Sequence, residues 1–239
     1  MSRVLGIDAG GLGNPSWLAF LEDGGRVTLS QHVFTLDAVG LPWLDSGDVS
    51  CVAVDAPQGL PYPGNKRREC DAVANTPTRL LPCSRAELEA GRTAEGKEFA
   101  YIGPVRTGVA VFWAARDVAF GLAEKATLVE TYPNVVFRRL AGRRPPPKSK
   151  RSFDYCCAVT SLMQREGVSC PGVEIPSVDQ CDAILCALAA QTFVEGRAEA
   201  LGLPPVIDQH ENLIREGLIM VPDVIRHSCA RADTPCSII

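Results

Sequence analysis

The sequence predicts an α/β domain with a five-stranded mixed sheet and helices on both faces of the sheet. Five short apolar runs have the character of strands, and the first three follow one another closely. A helical segment separates the third run from the fourth, and further helical segments separate the fourth from the fifth. This order is typical of a mixed sheet. No repeat or linker divides residues 1–239, so we expect a single domain.

The strand candidates can be placed in order along the chain. They are residues 3–8, 15–22, 26–34, 49–55 and 127–132. An Asp-Gly-Gly turn between the second and third predicts a hairpin, and a short helix is expected within 35–46. Pro57 ends the fourth strand because proline cannot donate a ladder hydrogen bond.

Helices are predicted in the remaining segments. Residues 62–123 form a helical insertion, in which Ser84 and Glu87 fit a capping box and residues 105–123 are a long apolar stretch. Further helices are predicted over 152–166 and from Ser177 to about residue 200. The chain from Leu203 is predicted to be loop, apart from a short helix near 207–216.

Charge and cysteine content restrict the functional classes. A net charge of −4 and an isoelectric point of about 5.5 count against strong nonspecific binding of nucleic acid. Ten cysteines without a C-x-x-C pair are expected to be reduced core residues. The chain has no apolar signal core and no run of about 18 apolar residues. We therefore expect a cytoplasmic protein that does not bind membranes.

One segment departs from the acidic average. Residues 138–151 contain seven Lys or Arg residues and no acid, and a second basic run covers 66–68. Such runs are either solvated loops or phosphate-binding surfaces. The candidate substrate-binding residues of the longer segment are Arg143, Arg144, Lys148, Lys150 and Arg151.

Two aspartates end apolar strands and are candidate metal ligands. Asp8 closes the first strand, and Asp55 closes the fourth. Each alone could simply begin a turn, which is a common role of aspartate. Together, on neighbouring strands, they favour a ligand site, because strand ends line the crevice of an open α/β sheet. Their carboxylates suit hard cations such as Mg²⁺.

Three further acids extend the candidate site. Glu130 lies within the fifth strand, where it faces either solvent or a site. Asp179 and Asp182 are three residues apart and share one helical face. The helix dipole is sufficient to explain Asp179 in the first turn. Asp182 lies at the edge of an apolar face and needs a partner, so it is the preferred ligand of the two.

This set of acids is typical of two-metal phosphoryl transfer, in which carboxylates hold a pair of cations about 4 Å apart. The sequence contains no Gly-x-Ser-x-Gly element and no convincing histidine motif, so no protein nucleophile is expected. We predict Mg²⁺ or Mn²⁺ as the cofactor, held by Asp8, Asp55 and Asp182 with Asp179 as a further ligand. Glu130 is a predicted catalytic residue.

Several motifs occur in an order that resembles a known family. They are Gly-Ile-Asp-Ala-Gly-Gly at 6–11, Val-Asp-Ala-Pro-Gln-Gly-Leu-Pro at 54–61, Val-Glu-Thr-Tyr-Pro at 129–133, Asp-Gln-Cys-Asp-Ala at 179–183 and Glu-Gly-Leu-Ile-Met-Val-Pro at 216–222. This pattern resembles domain-of-unknown-function family 429, described as predicted nucleases with a ribonuclease H-like fold. The resemblance implies the five-stranded mixed sheet, and acids at Asp8, Asp55 and Asp182. The helix at 179–183 also resembles the last helix of Holliday-junction resolvases.

Three functions remain open on sequence alone. The first is a metal-dependent nuclease, with nucleic acid as its partner. The second is an actin-like phosphotransferase, because residues 6–11 also resemble the first phosphate loop of such ATPases. The chain is short for that class, and a second phosphate loop is not evident. The third is a non-catalytic binding domain on the same fold.

Overall fold

A mixed sheet of seven strands forms the centre of the part of the chain that the structure describes. The structure is a computed structural model that describes residues 3–76, 80–116 and 127–223. The strands are β1 (Arg3–Asp8), β2 (Pro15–Glu22), β3 (Val27–Val33), β4 (Cys51–Asp55), β5 (Thr127–Glu130), β6 (Ala198–Asp208) and β7 (Leu213–Pro222). Their order across the sheet is β3-β2-β1-β4-β5-β7-β6. The pairs β1–β4, β4–β5 and β5–β7 are parallel. The pairs β1–β2, β2–β3 and β6–β7 are antiparallel.

All five predicted strands are present, but the prediction of a five-stranded sheet is wrong because two more strands follow. The segment from Leu203, predicted as loop with a short helix near 207–216, forms most of the hairpin of β6 and β7. Pro204 and Pro205 interrupt the register of β6 between Leu203 and Val206. Prolines are tolerated there because β6 is an edge strand.

Seven helices are found among the described residues. They are α1 (Pro42–Asp45), α2 (Glu69–Val73), α3 (Arg85–Ala90), α4 (Ile102–Ala114), α5 (Pro133–Ala141), α6 (Ser152–Arg165) and α7 (Val178–Val194). The capping signals act as predicted: the Ser84 side chain accepts from the Glu87 amide, and Ser177 forms a capping box with Gln180. The helix predicted to reach residue 200 ends at Val194, and the predicted residues 117–123 of the 105–123 helix lie outside the described residues.

Two apolar layers cover the sheet. On one face, α7 packs on β1, β2 and β4, and α5 and α6 pack against α7. On the other face, side chains of β1 and β4 pack with Val111 and Phe112 of α4. Nearly every residue of α7 from Cys181 to Thr192 is buried, which explains why this helix is apolar around its whole circumference.

Two global expectations can be compared with the described residues. No helix within residues 3–76, 80–116 and 127–223 is long and apolar enough to cross a membrane. Eight of the cysteines lie in these ranges, and all eight are free thiols. Most pack in the core, as expected for cysteine used as a small apolar side chain.

Candidate metal centre

Three carboxylates meet at the carboxyl ends of two parallel strands. Asp8 and Asp55 are the last residues of β1 and β4, and they are direct partners in the parallel register. Asp182, in the second turn of α7, lies against them. One carboxylate oxygen from each of the three residues lies within 4.8 Å of the others. The predicted convergence of Asp8, Asp55 and Asp182 is therefore confirmed as geometry.

A glycine in β1 allows α7 to come this close. A Cβ atom added to Gly6 would lie 2.1 Å from the Ala183 carbonyl oxygen and 2.2 Å from the Ala187 amide nitrogen. Only glycine leaves room for the helix backbone, and this contact places Asp182 next to the strand ends. A glycine inside a strand is a recognised sign of close backbone approach, so Gly6 is the signal in the sequence for this contact.

The loops that follow the two strands are fixed from the opposite face by α4. A Cβ atom added to Gly108 would lie 2.6 Å from both the Ala56 Cβ and the Pro57 carbonyl oxygen. The Thr107 hydroxyl donates to the Gly10 carbonyl at 2.7 Å, and the Gly10 amide donates to the Ser16 hydroxyl at 2.9 Å. These bonds hold the loop after β1 against α4 and against the start of β2.

Both oxygens of Asp182 have partners. The Tyr155 hydroxyl donates to Oδ1 at 2.5 Å, and the Lys148 ammonium donates to Oδ2. Burial raises the pKa of Asp182, whereas the bonds from Lys148 and Tyr155 act in the opposite direction. Partial burial by itself lowers the pKa of Lys148, but the contact with Asp182 outweighs it and the pKa is raised. Lys148 is therefore charged at neutral pH.

The acids also repel one another. Burial, followed by the negative charges of Asp55, Asp182 and Asp179, raises the pKa of Asp8 to about 9. The Lys148 charge opposes this shift without cancelling it. A cluster whose members resist ionisation together becomes favourable when a cation neutralises them.

The donor set fits a small hard cation. Mg²⁺ binds oxygen ligands at about 2.1 Å, so two ligand oxygens on one ion lie at most about 4.2 Å apart. Shifts of a few tenths of an ångström bring the three carboxylates into that range. Asp179 is exposed in the first turn of α7 and lines the same cleft. Its oxygens are not part of the close group formed by the other three acids.

Glu130 does not join this cluster, because the sheet directs it to the other face. It pairs with Val54 in the register of β4 and β5, one residue before Asp55, and successive side chains alternate across a sheet. Its two oxygens accept from the Arg68 guanidinium at 2.6 and 2.7 Å, and from the Gln58 amide at 2.8 Å. Burial raises the pKa of Glu130, and the Arg68 charge opposes that shift.

A second set of close acidic groups surrounds Glu130. Ligand atoms of Cys70, Asp71 and Glu130 lie within 4.8 Å of one another. Arg68, with a side chain only 2 % exposed, donates to both carboxylates of this set. Its guanidinium already supplies the positive charge that a cation would bring, so this group is a buried ion-pair network.

Comparison with known proteins places the chain in a family. The family model described as "Protein of unknown function (DUF429)" matches residues 6–206. The chain belongs to the DUF429 family. The resemblance found in the sequence is thereby confirmed. Among solved structures, the DUF429 chain is similar to the Thermus thermophilus RuvC structure, with 19 % identity over 81 % of this chain and 96 % of that chain and a TM-score of 0.42. A search of curated proteins finds no match.

Residues of the DUF429 motifs form hydrogen bonds that hold the segment after Asp55 in place. Gln58 belongs to the Asp-Ala-Pro-Gln-Gly motif, and its backbone amide donates to the Glu130 carboxylate. Its side-chain oxygen accepts from the Leu218 backbone amide at 2.7 Å. The Leu60 amide donates to the Ile214 carbonyl at 2.9 Å. These bonds tie the segment after Asp55 to β5 and β7, which fixes the end of the strand that carries the acid.

A cleft of about 660 Å³ opens above the acids. Its lining contains the acids and their cation, Asp8, Asp55, Asp179, Asp182 and Lys148, and also Glu130. Arg67, Arg68, Thr76 and Tyr132 line the same cleft, so part of the second basic run borders it.

The longer basic segment contributes unevenly to the cleft. Of its predicted substrate-binding residues, Lys148 lines the cleft, whereas Arg143, Arg144, Lys150 and Arg151 are exposed outside the cleft lining. The Arg143 guanidinium lies 5.9 Å from the Phe137 ring centre. Arg151 forms an ion pair with Asp154 at 2.5 Å. Lys148 therefore belongs to the acid cluster itself, whereas the other four predicted residues are exposed and lie outside the cleft lining.

Proposed function

We propose that the chain is a metal-dependent nuclease that hydrolyses phosphodiester bonds at the acid cluster. The observation that carries this proposal is the meeting of Asp8, Asp55 and Asp182 within 4.8 Å at the end of two parallel strands. Three carboxylates without a neighbouring nucleophile motif suit cation binding better than acid–base or covalent catalysis. The scaffold proposed is ribonuclease H-like, with β3-β2-β1-β4-β5 as its five strands and β7-β6 added at one edge.

In this proposal each acid has a distinct position. Asp8 and Asp55 hold Mg²⁺ or Mn²⁺ from the sheet, Asp182 holds it from α7, and the exposed Asp179 is available to a second cation at the entrance. The chemistry that bound cations supply is activation of water for attack on phosphorus and neutralisation of charge on the leaving oxygen. Tyr155, which is fully buried, fixes the orientation of Asp182 through its hydrogen bond to Oδ1.

We assign Glu130 a positioning role in place of the catalytic role predicted from the sequence. Its side chain leaves the sheet on the face opposite Asp55, and its carboxylate accepts from the Gln58 backbone amide and from Arg68. Through Gln58 it fixes the segment that follows Asp55. Its removal is expected to affect the fold more than the binding of a cation.

Nucleic acid is the proposed substrate, and the cations around the cleft support that choice. Arg67 and Lys148 line the cleft, and Arg143, Arg144, Lys150 and Arg151 extend the positive surface outside it. Contacts of Lys and Arg to phosphates provide most of the sequence-independent affinity for nucleic acid. On a chain of net charge −4, local concentrations of Lys and Arg are where such binding is expected.

The test is cleavage of labelled single-stranded, duplex, hybrid and branched substrates, with Mg²⁺, Mn²⁺ or a chelator. The wild-type protein is expected to cleave at least one substrate with metal and none with chelator. Asp8→Asn keeps the shape but loses a ligand charge, so turnover should be abolished. Asp37→Asn is the matched control, because Asp37 is exposed and does not line the cleft. Equal cleavage by wild type and Asp8→Asn would refute the proposed site. No cleavage by any form would favour a non-catalytic binding domain.

A further inference from the structure

The acid cluster contains one positive charge of the chain itself, the ammonium of Lys148. It bonds to Asp182 Oδ2 and lies 5.1 Å from the centre of the Tyr155 ring. Its charge also acts on Asp55 and Asp8, so all three acids interact with it. An ammonium group in this position partly neutralises carboxylates that would otherwise repel one another without compensation.

The ammonium binds one of the two Asp182 oxygens that could serve as ligands to a cation. Oδ1 is bound by Tyr155, whose side chain is 0 % exposed and packed in the core. Oδ2 is bound by Lys148, whose side chain is 36 % exposed and which follows three consecutive prolines in the segment between α5 and α6. Of the two partners, only Lys148 has solvent to move into. A cation that binds Asp182 through Oδ2 therefore competes with the Lys148 ammonium for that oxygen.

We propose that Lys148 is an internal counter-ion that neutralises the acid cluster in the metal-free protein, and that a divalent cation displaces it from Asp182. Displacement leaves the ammonium at the wall of the cleft, within reach of a phosphate group bound there. This inference rests on the proposed function for the identity of the cation, but the claim that Lys148 competes with that cation is separate. Lys148 would have two successive partners, first the Asp182 carboxylate and then a substrate phosphate.

The first experiment measures Mn²⁺ affinity by isothermal titration calorimetry. Lys148→Met removes the competing charge and keeps most of the side-chain volume, so Mn²⁺ is expected to bind at least about tenfold more tightly than to wild type. Lys150→Met is the matched control, because it removes the same charge from an exposed residue of the same segment. Its affinity should stay within about twofold of wild type. Equal changes in both variants, or weaker binding by Lys148→Met, would overturn the proposal.

The second experiment uses the wild-type protein and therefore does not depend on the folding of a variant. Amine acylation is followed by mass spectrometry at Lys148 and Lys150, with chelator and with saturating Mn²⁺. Metal should break the ion pair and raise the acylation rate of Lys148, while the rate at Lys150 stays constant. An unchanged or lower rate at Lys148 would contradict displacement.

The outcomes distinguish this inference from the proposed nuclease. Mn²⁺ binding with the expected Lys148 effects, but without cleavage of any nucleic acid, would refute only the nuclease. Cleavage that requires metal, together with equal Mn²⁺ affinity in wild type and Lys148→Met, would refute only the counter-ion. Absence of Mn²⁺ binding by both proteins would overturn both proposals.

Discussion

Replacing Asp8 by Asn tests whether the acids are coupled in the folded protein. Burial and three neighbouring acids raise the pKa of Asp8 to about 9, against an ordinary value of 3.8. Between these two values the folded protein retains a proton that the unfolded chain releases. The metal-free protein therefore becomes less stable as pH rises through this interval, by up to about 1.4 kcal/mol per pH unit. Asn carries no proton to release and removes this dependence.

The size of the effect follows from the pH interval. From pH 5 to pH 8, Asp8 contributes a loss of up to about 4 kcal/mol. Partial solvent exposure and sharing of charge with Asp55 and Asp182 reduce it, and we take about 2 kcal/mol as the expected difference. At about 2–4 °C per kcal/mol for a chain of this length, the wild-type melting temperature should fall about 4–8 °C more than that of Asp8→Asn.

The assay is thermal unfolding in chelator at pH 5 and pH 8, followed by circular dichroism. Asp37→Asn should follow the wild-type profile, because Asp37 is exposed and does not line the cleft. Addition of Mn²⁺ at pH 8 should raise the melting temperature of wild type and have little effect on Asp8→Asn, since a ligand stabilises only the form that binds it. Parallel pH profiles for wild type and Asp8→Asn in chelator would show that Asp8 titrates normally and would refute the coupled cluster.

Three further substitutions probe the scaffold and the surface. Gly6→Ala introduces a Cβ about 2 Å from the backbone of α7, so it should destabilise the fold by about 3 kcal/mol or more in urea unfolding and weaken Mn²⁺ binding. Glu130→Gln leaves Arg68 without its main buried partner and should destabilise by about 3–5 kcal/mol. The Mn²⁺ affinity of the folded Glu130→Gln protein should change less than about threefold, and a larger loss would contradict the positioning role assigned to Glu130. Replacing Arg143 and Arg144 with Ala should weaken nucleic-acid binding and reduce the salt slope by about one to two, whereas an unchanged slope would identify solvated loops.

The sequence was sufficient to predict the three close acids, because each follows from a local pattern. Asp8 and Asp55 end apolar strands before a glycine or proline, and parallel neighbours bring such ends together. Asp182 was preferred over Asp179 because its position borders a buried helical face, and the structure buries it while Asp179 is exposed. The type of each element and the position of each acid within it are sufficient to predict these three residues.

The face of the sheet to which Glu130 points could not be predicted from the sequence, because it depends on the register between β4 and β5. A shift of one residue between β4 and β5 would turn its side chain to the face that carries Asp55. No local pattern reports that register. The partner that holds Glu130, Arg68, lies 62 residues away in the chain and was visible only as part of a basic run.

The hairpin of β6 and β7 escaped prediction for a different reason. Two adjacent prolines and an exposed pattern in β6 resemble a loop, and an edge strand tolerates both. In β7, Glu216 has a positive φ of 59° and Gly217 follows with 149°, which breaks the appearance of a regular strand. Pairing with β5 and β6 stabilises these strands, and such long-range pairing cannot be read from local propensity.

The acid cluster is stable only because packing elsewhere holds it together. Gly6 allows α7 to pack on β1 with backbone in near contact, and this places Asp182 beside two strand ends. Tyr155 fixes Asp182 from the core, while Lys148 offsets part of the repulsion. Because the carboxylates repel one another, the site favours binding of a cation that replaces the ammonium. Variants that remove part of this repulsion gain stability and lose the capacity to bind a cation. On this reasoning Asp8→Asn should be the more stable protein without metal and the inactive one with it.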